Sequence, residues 1–268
     1  MISDEPSFRL DFVGIGAARC GTTWLTQCLR THPQICVSSQ KEIRYFNAIN
    51  HLRNIPNKKH AKPFSWYVDH FQHCQTGQIR GEFSPPYLCD PVAPALIRRR
   101  FPDVKILVSL RNPIDRAYSG HLMRMFHGAE SRSFDEAIEQ HSDSIENGFY
   151  ARQLGRYFDL FKRDQLLIML YEDLVADPAE GLKTIFAFLD IDPRVTVPAD
   201  TIQERVNATR LRNFPGRADA LLSFLRGPTR SRPKVPRIRH RDSDGRRTSW
   251  HDSSERCADG IAACSRGP

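Results

Sequence analysis

The sequence lacks any run of about 18 apolar residues, which predicts that the chain does not span a membrane. Its first ten residues, MISDEPSFRL, lack the basic and then apolar pattern of a secretory signal peptide, so we expect a cytoplasmic protein. No C-x-x-C pair occurs among the seven cysteines, which gives no indication of a zinc site or a redox dithiol. An odd number of cysteines without a secretion signal predicts free thiols in a reducing compartment.

Most of the net positive charge lies in the last part of the chain, because basic and acidic residues nearly balance over residues 1–225. Residues 226–268 hold 11 Lys and Arg against 5 Asp and Glu, which is six of the eight net positive charges. Some basic segments bind nucleic acid or anionic membranes, but richness in Arg, Ser, Pro and Asp without apolar periodicity is typical of disorder. We therefore expect residues 225–268 to be a disordered tail or a segment of foreign origin, such as one read in a shifted frame, and we expect no nucleic-acid partner.

Residues 1–224 contain an alternation of strand-like and helix-like segments. The segments RLDFVGIGA, ICVSS, QIRGEFS, VKILVSL and QLLIMLYEDL predict strands, and the segments between several of them predict helices. This alternation predicts an α/β domain with a P-loop-like parallel β-sheet flanked by helices on both faces. In such sheets ligands bind beyond the carboxyl ends of the strands, where this sequence places residues 14–23 and the segment SLRNP.

A glycine-bearing turn joins the first predicted strand to the first predicted helix in GIGAARCGTTW, residues 14–24. Gly16 and Gly21 have the spacing of the P-loop pattern G-x-x-x-x-G-K-S/T, but Thr22 stands where that pattern has lysine. The nearest cation is Arg19, inside the loop, and its planar fork of donors suits a phosphate. Backbone amides at the helix start add donors and a favourable dipole, so we expect a phosphate site here rather than an empty glycine turn.

A second cationic group follows the strand VKILVSL, in the segment RNPIDRAYS. Arg111 leaves the strand end and Ser119 lies about two turns along the next helix, so both can face the crevice of the sheet. A guanidinium and a hydroxyl suit a second phosphate, although a surface arginine and a helical serine are common without one. This strand end carries no carboxylate, and we therefore expect no bound metal.

The segment KEIRYF, residues 41–46, supplies a candidate general base. Glu42 is that carboxylate, and Lys41 and Arg44 are cations that can neutralise developing charge beside it. A surface salt-bridge network is the alternative interpretation of these three residues. His121 is a second candidate base, and a partly buried structural role is the alternative for it.

The motifs GAARCGTTWL, KEIRYF, GEFSPPYL and LVSLRNPIDRAYSGHL, in this order, resemble the sulfotransferases that use 3'-phosphoadenosine 5'-phosphosulfate (PAPS). The resemblance covers residues 10–213 and is greatest to the heparan sulfate N- and O-sulfotransferase branch, which includes soluble bacterial members. It implies in-line transfer of a sulfonate group from PAPS to a hydroxyl or amine of a glycan or small metabolite, without a metal.

The same resemblance implies roles for individual residues. Glu42 matches the carboxylate that deprotonates the acceptor, and Arg111 and Ser119 match the pair that binds the 3'-phosphate. The family's loop for the 5'-phosphosulfate matches Arg19, Cys20, Gly21, Thr22, Thr23 and Trp24.

Three features depart from the family pattern. The family usually has lysine at the position of Arg19, and animal heparan enzymes carry a lysine that aligns with Phe83. A late C-terminal portion of the family helps to cover the nucleotide and builds part of the acceptor cleft, whereas this chain continues into its Arg- and Ser-rich tail.

Two other functions stay open on the sequence alone. A P-loop nucleotide kinase or NTPase would need magnesium and a Walker lysine, and the sequence lacks that lysine. A non-catalytic protein would keep the nucleotide site of the sulfotransferase fold without turnover. The sequence identifies neither the acceptor nor the oligomeric state, although we expect residues 47–75, with Trp66, Tyr67 and Phe71, to face the acceptor.

Overall fold

The computed structural model describes residues 8–50, 55–140, 142–204, 240–241 and 247–248. The chain divides into two units, Met1–Arg210 and Leu211–Pro268. In the second unit His240–Arg241 pairs antiparallel with Arg247–Thr248. The remainder of the tail predicted over residues 225–268, and its predicted boundary, lie outside the described residues.

The first unit contains a parallel sheet of five strands, as the sequence predicts. The strands described in this unit are β1 Phe12–Gly16, β2 Ile35–Val37, β3 Ile49–Asn50, β4 Ile55–Pro56, β5 Ile79–Phe83, β6 Lys105–Leu110 and β7 Leu166–Leu170. The sheet has the order β2-β5-β1-β6-β7, and every pair in it is parallel. β3 and β4 form a separate antiparallel pair within residues 47–75, the segment expected to face the acceptor.

Helices follow the strands in the predicted alternation. They are α1 Thr22–Arg30, α2 Phe64–Val68, α3 Ala93–Arg100, α4 Pro113–Phe126, α5 Phe134–Gln140, α6 Ser142–Glu146, α7 Tyr150–Phe158, α8 Tyr171–Ala176, α9 Pro178–Phe188 and α10 Ala199–Gln203. Short 3-10 turns cover Asp69–Phe71, Pro85–Tyr87 and Arg163–Gln165. In the part of the chain that the structure describes, every helix is too short or too polar to cross a lipid bilayer.

Local sequence signals set several helix starts. The side chain of Asn112 accepts hydrogen bonds from the amides of Ile114 (3.0 Å) and Asp115 (3.4 Å), which caps α4. The segment SFDEAIEQHS has Glu136 three residues after Ser133, the spacing that predicts a capping box, and α5 begins with one. The Ser133 amide donates to Glu136 at 2.9 Å, and the Glu136 amide donates to Ser133 Oγ at 3.4 Å. These contacts satisfy amides that a helix start leaves without intrahelical acceptors.

The central strands bury both of their faces. Val13 and Ile15 of β1 enter one apolar cluster, and Phe12 of the same strand and Leu107 of β6 enter a second cluster, which includes residues of α1 and α9. All four side chains are at most 1% exposed. Full burial of one such side chain contributes about 1.5–3 kcal/mol. Continuous apolar runs are therefore the expected sequence of these parallel strands.

The strand order reverses beside β1, and this reversal creates a crevice. From β1 the chain moves outward through α1 to β2, and it later crosses to the other side of β1 to form β6. Ligands of open α/β sheets bind where the order reverses, beyond the carboxyl ends of the strands. The residues that follow β1 and β6 are the predicted loop 16–21 and Arg111.

Two predictions about the chain are wrong. The predicted strand QLLIMLYEDL ends at Leu170, and α8 begins at Tyr171, where the acidic Glu172 and Asp173 favour a helix start. Cys36 and Cys74 form a disulfide rather than free thiols, because the fold brings together two cysteines 38 residues apart in sequence. The described free cysteines are Cys20, Cys28 and Cys89, and residues 257 and 264 lie outside the described part.

Candidate functional site

The loop between β1 and α1 is fixed against β6. The Ala17 amide donates to Ser109 O at 2.7 Å, and the Ser109 hydroxyl donates to Cys20 O at 2.9 Å. Arg19 and Gly21 both have the left-handed backbone conformation, with φ of 72° and 74°. These contacts hold the loop in one conformation at the edge of the crevice.

Glycine at position 21 is required by backbone conformation and by space. A Cβ there would lie 2.9 Å from the ring of Tyr171, and left-handed φ disfavours any larger residue. The Leu25 amide donates to Gly21 O at 2.9 Å, which is where α1 begins. The first amides of α1 have no acceptor within the helix, and they lie beside the loop at the positive end of the helix dipole. The geometry therefore suits an anion.

Arg19 joins the loop to α4. Its Nε and Nη2 donate to Ser119 Oγ at 3.1 and 3.0 Å, and its Nη1 lies 3.1 Å from Met123 Sδ. Burial lowers the pKa of Arg19, and the nearby charge of Arg111 lowers it further. The structure thus brings Arg19, Ser119 and Arg111 together, although the resemblance assigned Arg19 to one phosphate and the other two to another.

Arg111 is supported by an aromatic ring. Its guanidinium lies 4.9 Å from the centre of the Tyr171 ring, and its carbonyl accepts a hydrogen bond from the Tyr150 hydroxyl at 2.9 Å. Within the described part of the chain, neither Arg111 nor Arg19 forms an ion pair with a carboxylate. Two neighbouring guanidinium groups without acidic partners favour a bound dianion such as a phosphate.

The other predicted loop residues lie in different environments. Thr22 is buried, and its carbonyl accepts a hydrogen bond from Thr26 Oγ1 at 2.7 Å, whereas Thr23 is half-buried. Burial raises the pKa of Cys20 to about 11, so its thiol is neutral and its backbone is the part available to an anion. Trp24 packs on the second core cluster, and its indole N–H donates to Ile202 O at 3.1 Å in α10.

Glu42 lies at the same edge of the sheet, beyond β2 and β5. Its amide donates to Phe83 O at 2.9 Å, at the carboxyl end of β5, and β5 is the neighbour of β1. Lys41 Nζ lies 3.1 Å from Glu42 Oε1, and Arg44 Nε donates to Glu42 Oε2 at 3.0 Å. Burial alone would raise the pKa of Glu42, but Lys41 and Arg44 outweigh it, and the pKa is lowered. Glu42 is therefore an ionised carboxylate at neutral pH.

A buried carboxylate beneath this segment was not predicted from the sequence. Glu82 in β5 is fully buried, and it accepts hydrogen bonds from Tyr67 (3.1 Å), Tyr87 (2.8 Å) and Ser84 (2.8 Å). Ser84 Oγ in turn accepts from the Arg44 amide at 2.9 Å. Burial raises the pKa of Glu82 to about 7, although these hydroxyl donors favour the charged form. The signal in sequence is an acid inside a buried strand, followed by hydroxyl residues in GEFSPPY.

This network also explains how the segment 41–46 keeps its conformation. Glu42 and Arg44 have φ of 60° and 58°, which is strained for residues with side chains. The two amide contacts with Phe83 and Ser84 hold both residues in place. A carboxylate in β5 thus acts through Ser84 on the backbone beside the candidate base.

The lysine that animal heparan enzymes carry at the position of Phe83 is absent here, but the structure places another lysine, Lys59, beside Glu42. Phe83 is 1% exposed and packs against Phe12 with 6.2 Å between ring centres, so it belongs to the core. Lys59, which sequence analysis did not single out, lies with its Nζ 3.4 Å from Glu42 O. Burial lowers the pKa of Lys59, as does Arg44, while Glu42 and Glu82 oppose the change. A cation therefore stands beside Glu42 from a different segment of the chain.

His121 lies inside the packing of α4 and α5. It is 2% exposed, and its ring centre lies 5.5 Å from that of Phe134 and 6.4 Å from that of Tyr118. A base must reach the proton that it removes. The aromatic surroundings favour the structural interpretation of His121 over the catalytic one.

A carboxylate stands near the second strand end, contrary to what the segment SLRNP alone indicates. Glu172, in the first turn of α8, accepts a hydrogen bond from the Asn112 amide at 3.0 Å. The acid comes from the end of β7, the neighbour of β6, so sequence proximity to Arg111 does not reveal it. Its oxygen is engaged in positioning the turn after Arg111.

Comparison with known proteins agrees with this geometry. The family model described as "Sulfotransferase domain" matches residues 10–225. Heparan sulfate glucosamine 3-O-sulfotransferase 3A1 of Mus musculus is 29% identical over 206 residues, 73% of this chain and 50% of that protein. Bifunctional heparan sulfate N-deacetylase/N-sulfotransferase 2 of Homo sapiens is 29% identical over 203 residues, 68% of this chain and 22% of that protein. The chain thus spans half or less of the length of these relatives.

A solved structure extends the likeness to the fold. The crystal structure of a sulfotransferase from Alicyclobacillus acidocaldarius has a TM-score of 0.65 and 27% sequence identity, over 82% of this chain and 92% of that one. The family match covers most of the chain and includes the loop 16–24, Glu42, Arg111 and Ser119. The chain therefore belongs to the sulfotransferase domain family.

Proposed function

We propose that this chain transfers a sulfonate group from PAPS to a hydroxyl or amine acceptor. The observation that carries the proposal is the convergence of Arg19, Arg111 and Ser119 at the strand-order reversal, beside a helix start that lacks a Walker lysine. PAPS carries a 3'-phosphate and a 5'-phosphosulfate, and two guanidinium groups with a helix N-terminus match two anionic groups.

The donor would occupy the crevice with its two anionic ends on different partners. The loop amides over residues 20–23 and Arg19 receive the 5'-phosphosulfate, and Arg111 and Ser119 receive the 3'-phosphate. In the structure Arg19 donates to Ser119. Donor binding would replace that contact with a phosphate oxygen on each partner, because both groups make stronger hydrogen bonds to an anion than to each other.

The residues around the site support a single in-line displacement. The acceptor oxygen or nitrogen forms a bond to sulfur while the bond from sulfur to the bridging phosphate oxygen breaks. Glu42 takes the acceptor proton, and the electron pair of the broken bond remains on the 5'-phosphate of the product 3'-phosphoadenosine 5'-phosphate (PAP). Arg19 and the loop amides stabilise that charge, and Lys41, Lys59 and Arg44 surround the base.

We propose a glycan as the acceptor class, with a small metabolite as the alternative. Two of the relatives are named for heparan sulfate substrates. Three cations lie around Glu42. The ring centre of Trp66 lies 6.3 Å from that of Tyr45, in the same segment as Glu42, and Lys62 Nζ lies 5.3 Å from the Trp66 ring centre. Aromatic rings with cations suit an anionic sugar chain. O-sulfation and N-sulfation both fit an ionised Glu42.

The compartment is a separate part of the proposal. A cytoplasmic location was expected from the sequence, but a Cys36–Cys74 disulfide is more typical of an oxidising compartment. We keep the cytoplasmic location as a prediction, to be checked by determining the redox state of these cysteines in cells that produce the protein naturally.

The test is a donor-binding titration followed by an acceptor screen with sulfur-labelled PAPS. PAP is expected to raise the melting temperature of the chain with or without EDTA, and transfer of label to a glycan or small acceptor is expected to need Glu42. A strict magnesium requirement with ATP binding would support a nucleotide kinase instead. Binding of PAP without transfer to any acceptor would support a non-catalytic nucleotide-binding protein.

A further inference from the structure

Three potential metal ligands converge away from the proposed crevice, between the edge strand β2 and the segment that follows the 3-10 turn Asp69–Phe71. Cys36 is the buried middle residue of β2, Cys74 is half-buried, and His73 is exposed. His73 Nε2 lies 3.4 Å from Cys36 Sγ and 3.2 Å from Val37 O. The two sulfurs and a ring nitrogen of His73 all lie within 4.8 Å of one another.

This donor set matches the preferences of zinc. Thiolate sulfur and imidazole nitrogen bind Zn²⁺ at about 2.3 and 2.0 Å, and tetrahedral geometry puts two sulfur ligands roughly 3.8 Å apart. Once the disulfide is reduced, side-chain rotation can separate the two sulfurs to this distance, because the Cα atoms of Cys36 and Cys74 are 5.5 Å apart. His73 Nε2 already lies 3.4 Å from Cys36 Sγ. Exposure of His73 leaves solvent access for a fourth ligand, which water can supply.

We propose that Cys36, Cys74 and His73 form a redox-gated zinc site: the oxidised chain holds the disulfide, and the reduced chain binds one Zn²⁺. Reduction of the disulfide by a small dithiol adds two electrons and two protons to the two sulfurs, and the reductant becomes its own cyclic disulfide. Zinc then binds the two thiolates and a neutral imidazole nitrogen of His73, and two protons leave for solvent. The two states exclude each other, because a sulfur in the disulfide has no thiolate to offer.

The disulfide and the zinc site would each link β2 to the segment that follows the 3-10 turn Asp69–Phe71. β2 ends at Val37. Two residues later, the Ser39 amide donates to His70 O at 2.9 Å, in the 3-10 turn that precedes His73 and Cys74. Two residues after Ser39 is Lys41, followed by Glu42. A cross-link at Cys36 and Cys74 therefore stabilises the position of the segment that leads to the proposed base. Bound zinc would preserve this cross-link under reducing conditions, in which the disulfide is lost.

The experiment uses the 268-residue chain with Cys257→Ser and Cys264→Ser, because these two cysteines lie outside the described residues and must not contribute. The protein is reduced with a dithiol, freed of reductant without oxygen, and titrated with Co²⁺ as the spectroscopic probe. One equivalent of Co²⁺ is expected to produce a sulfur-to-metal charge-transfer band that Zn²⁺ abolishes by displacement. The oxidised protein is expected to give no such band.

Matched variants assign the ligands. His73→Ala changes an exposed side chain and Cys36→Ser removes one sulfur; each should weaken Co²⁺ binding by more than the roughly 10–100-fold that loss of an outer-shell partner causes. His60→Ala, another exposed histidine, and Cys89→Ser, a free thiol elsewhere, should leave binding unchanged. Absence of a stoichiometric band in the reduced protein, or unchanged affinity in His73→Ala, would overturn the proposal. The His73 variant decides the matter even if Cys36→Ser does not fold.

Discussion

Arg19 donates two hydrogen bonds to one hydroxyl, that of Ser119, through Nε at 3.1 Å and Nη2 at 3.0 Å. The two residues are 100 positions apart in sequence, one in the loop after β1 and the other in α4. The contact shows that the loop after β1 and α4, which the sequence predicts separately as candidate anion-binding elements, lie side by side. Substitutions in the loop and substitutions at Arg111 or Ser119 are therefore both expected to weaken donor binding. They should differ in which phosphate of the donor loses its contact.

Arg111→Ala should separate the two phosphates of the donor. If Arg111 binds the 3'-phosphate, the change removes a charge-assisted contact of about 1.5–3 kcal/mol, which is roughly a ten- to hundredfold loss of affinity. Calorimetric titration should show this loss for PAP and almost none for 5'-AMP, which has no 3'-phosphate. Arg99→Ala, an exposed arginine of α3, is the matched control. Equal losses for both nucleotides would contradict the assignment.

Arg19→Ala should lower both donor affinity and turnover, because Arg19 would face phosphate in the ground state and greater charge in the transition state. Arg19→Lys restores the residue that the family usually has and should retain activity. Lysine cannot reproduce the two-pronged contact with Ser119, but it keeps the charge at the loop. Steady-state kinetics with PAPS as the varied substrate measure both effects. Unchanged turnover in Arg19→Ala would place the leaving-group stabiliser elsewhere.

Glu42→Gln should reduce turnover by about 10²–10⁴-fold, the usual range for loss of a general base. Donor affinity should change little, because the proposed role of Glu42 is toward the acceptor. Single-turnover rates and PAP titrations separate the two quantities. Glu139→Gln, an exposed acid in α5, serves as the control with the same chemical change. Full turnover in Glu42→Gln would mean that another group accepts the proton.

Arg44→Ala should shift the acidic side of the pH–rate profile to higher pH. Burial tends to raise the pKa of Glu42, but Lys41 and Arg44 lower it, so the wild-type carboxylate stays ionised to a lower pH than an ordinary glutamate does. Removing Arg44 removes one lowering influence, and activity should then fall at a higher pH as acid is added. The measurement is kcat/KM across pH for both proteins. A profile that does not move would contradict the role of Glu42 as the titrating base.

Glu82→Gln should make stability less dependent on pH. The folded pKa of Glu82, about 7, is above the ordinary 4.5, so the folded state holds the proton more tightly than the unfolded state does. Its contribution to the free energy of unfolding is fully present below pH 4.5 and is lost as the pH rises through about 7. The loss is on the order of 3 kcal/mol. Urea unfolding between pH 5 and 8 should show a flatter curve in Glu82→Gln than in Glu139→Gln. Parallel curves would contradict the raised pKa.

The sheet and the loop were accessible from sequence because local patterns encode them. Apolar β-branched runs such as VKILVSL predict buried parallel strands, and the glycine spacing of residues 16–21 predicts the turn. The Ser133–Glu136 capping box was also predictable, since both partners lie within one turn of chain. Each of these features depends on residues that are close in sequence.

What the sequence did not predict depends on contacts between distant segments. The Cys36–Cys74 disulfide, the contact of Tyr67 with Glu82 and the contact of Glu172 with Asn112 each join residues from different elements. Lys59 was missed for the same reason, because a lysine in a polar segment carries no signal of its own. The switch from strand to helix at Tyr171 was missed because apolar periodicity does not mark where a short edge strand stops.

The ring of Tyr171 lies against Gly21 and beneath the guanidinium of Arg111. This arrangement limits which substitutions positions 21, 111 and 171 of this protein can accept independently. A smaller residue at position 171 would make room for a side chain at 21 but would remove the support of Arg111. A larger residue at 21 would displace the ring and the arginine with it. Descendants of this chain should therefore show covariation of positions 21, 111 and 171, and directed evolution that selects for altered donor preference should recover changes at these positions as sets.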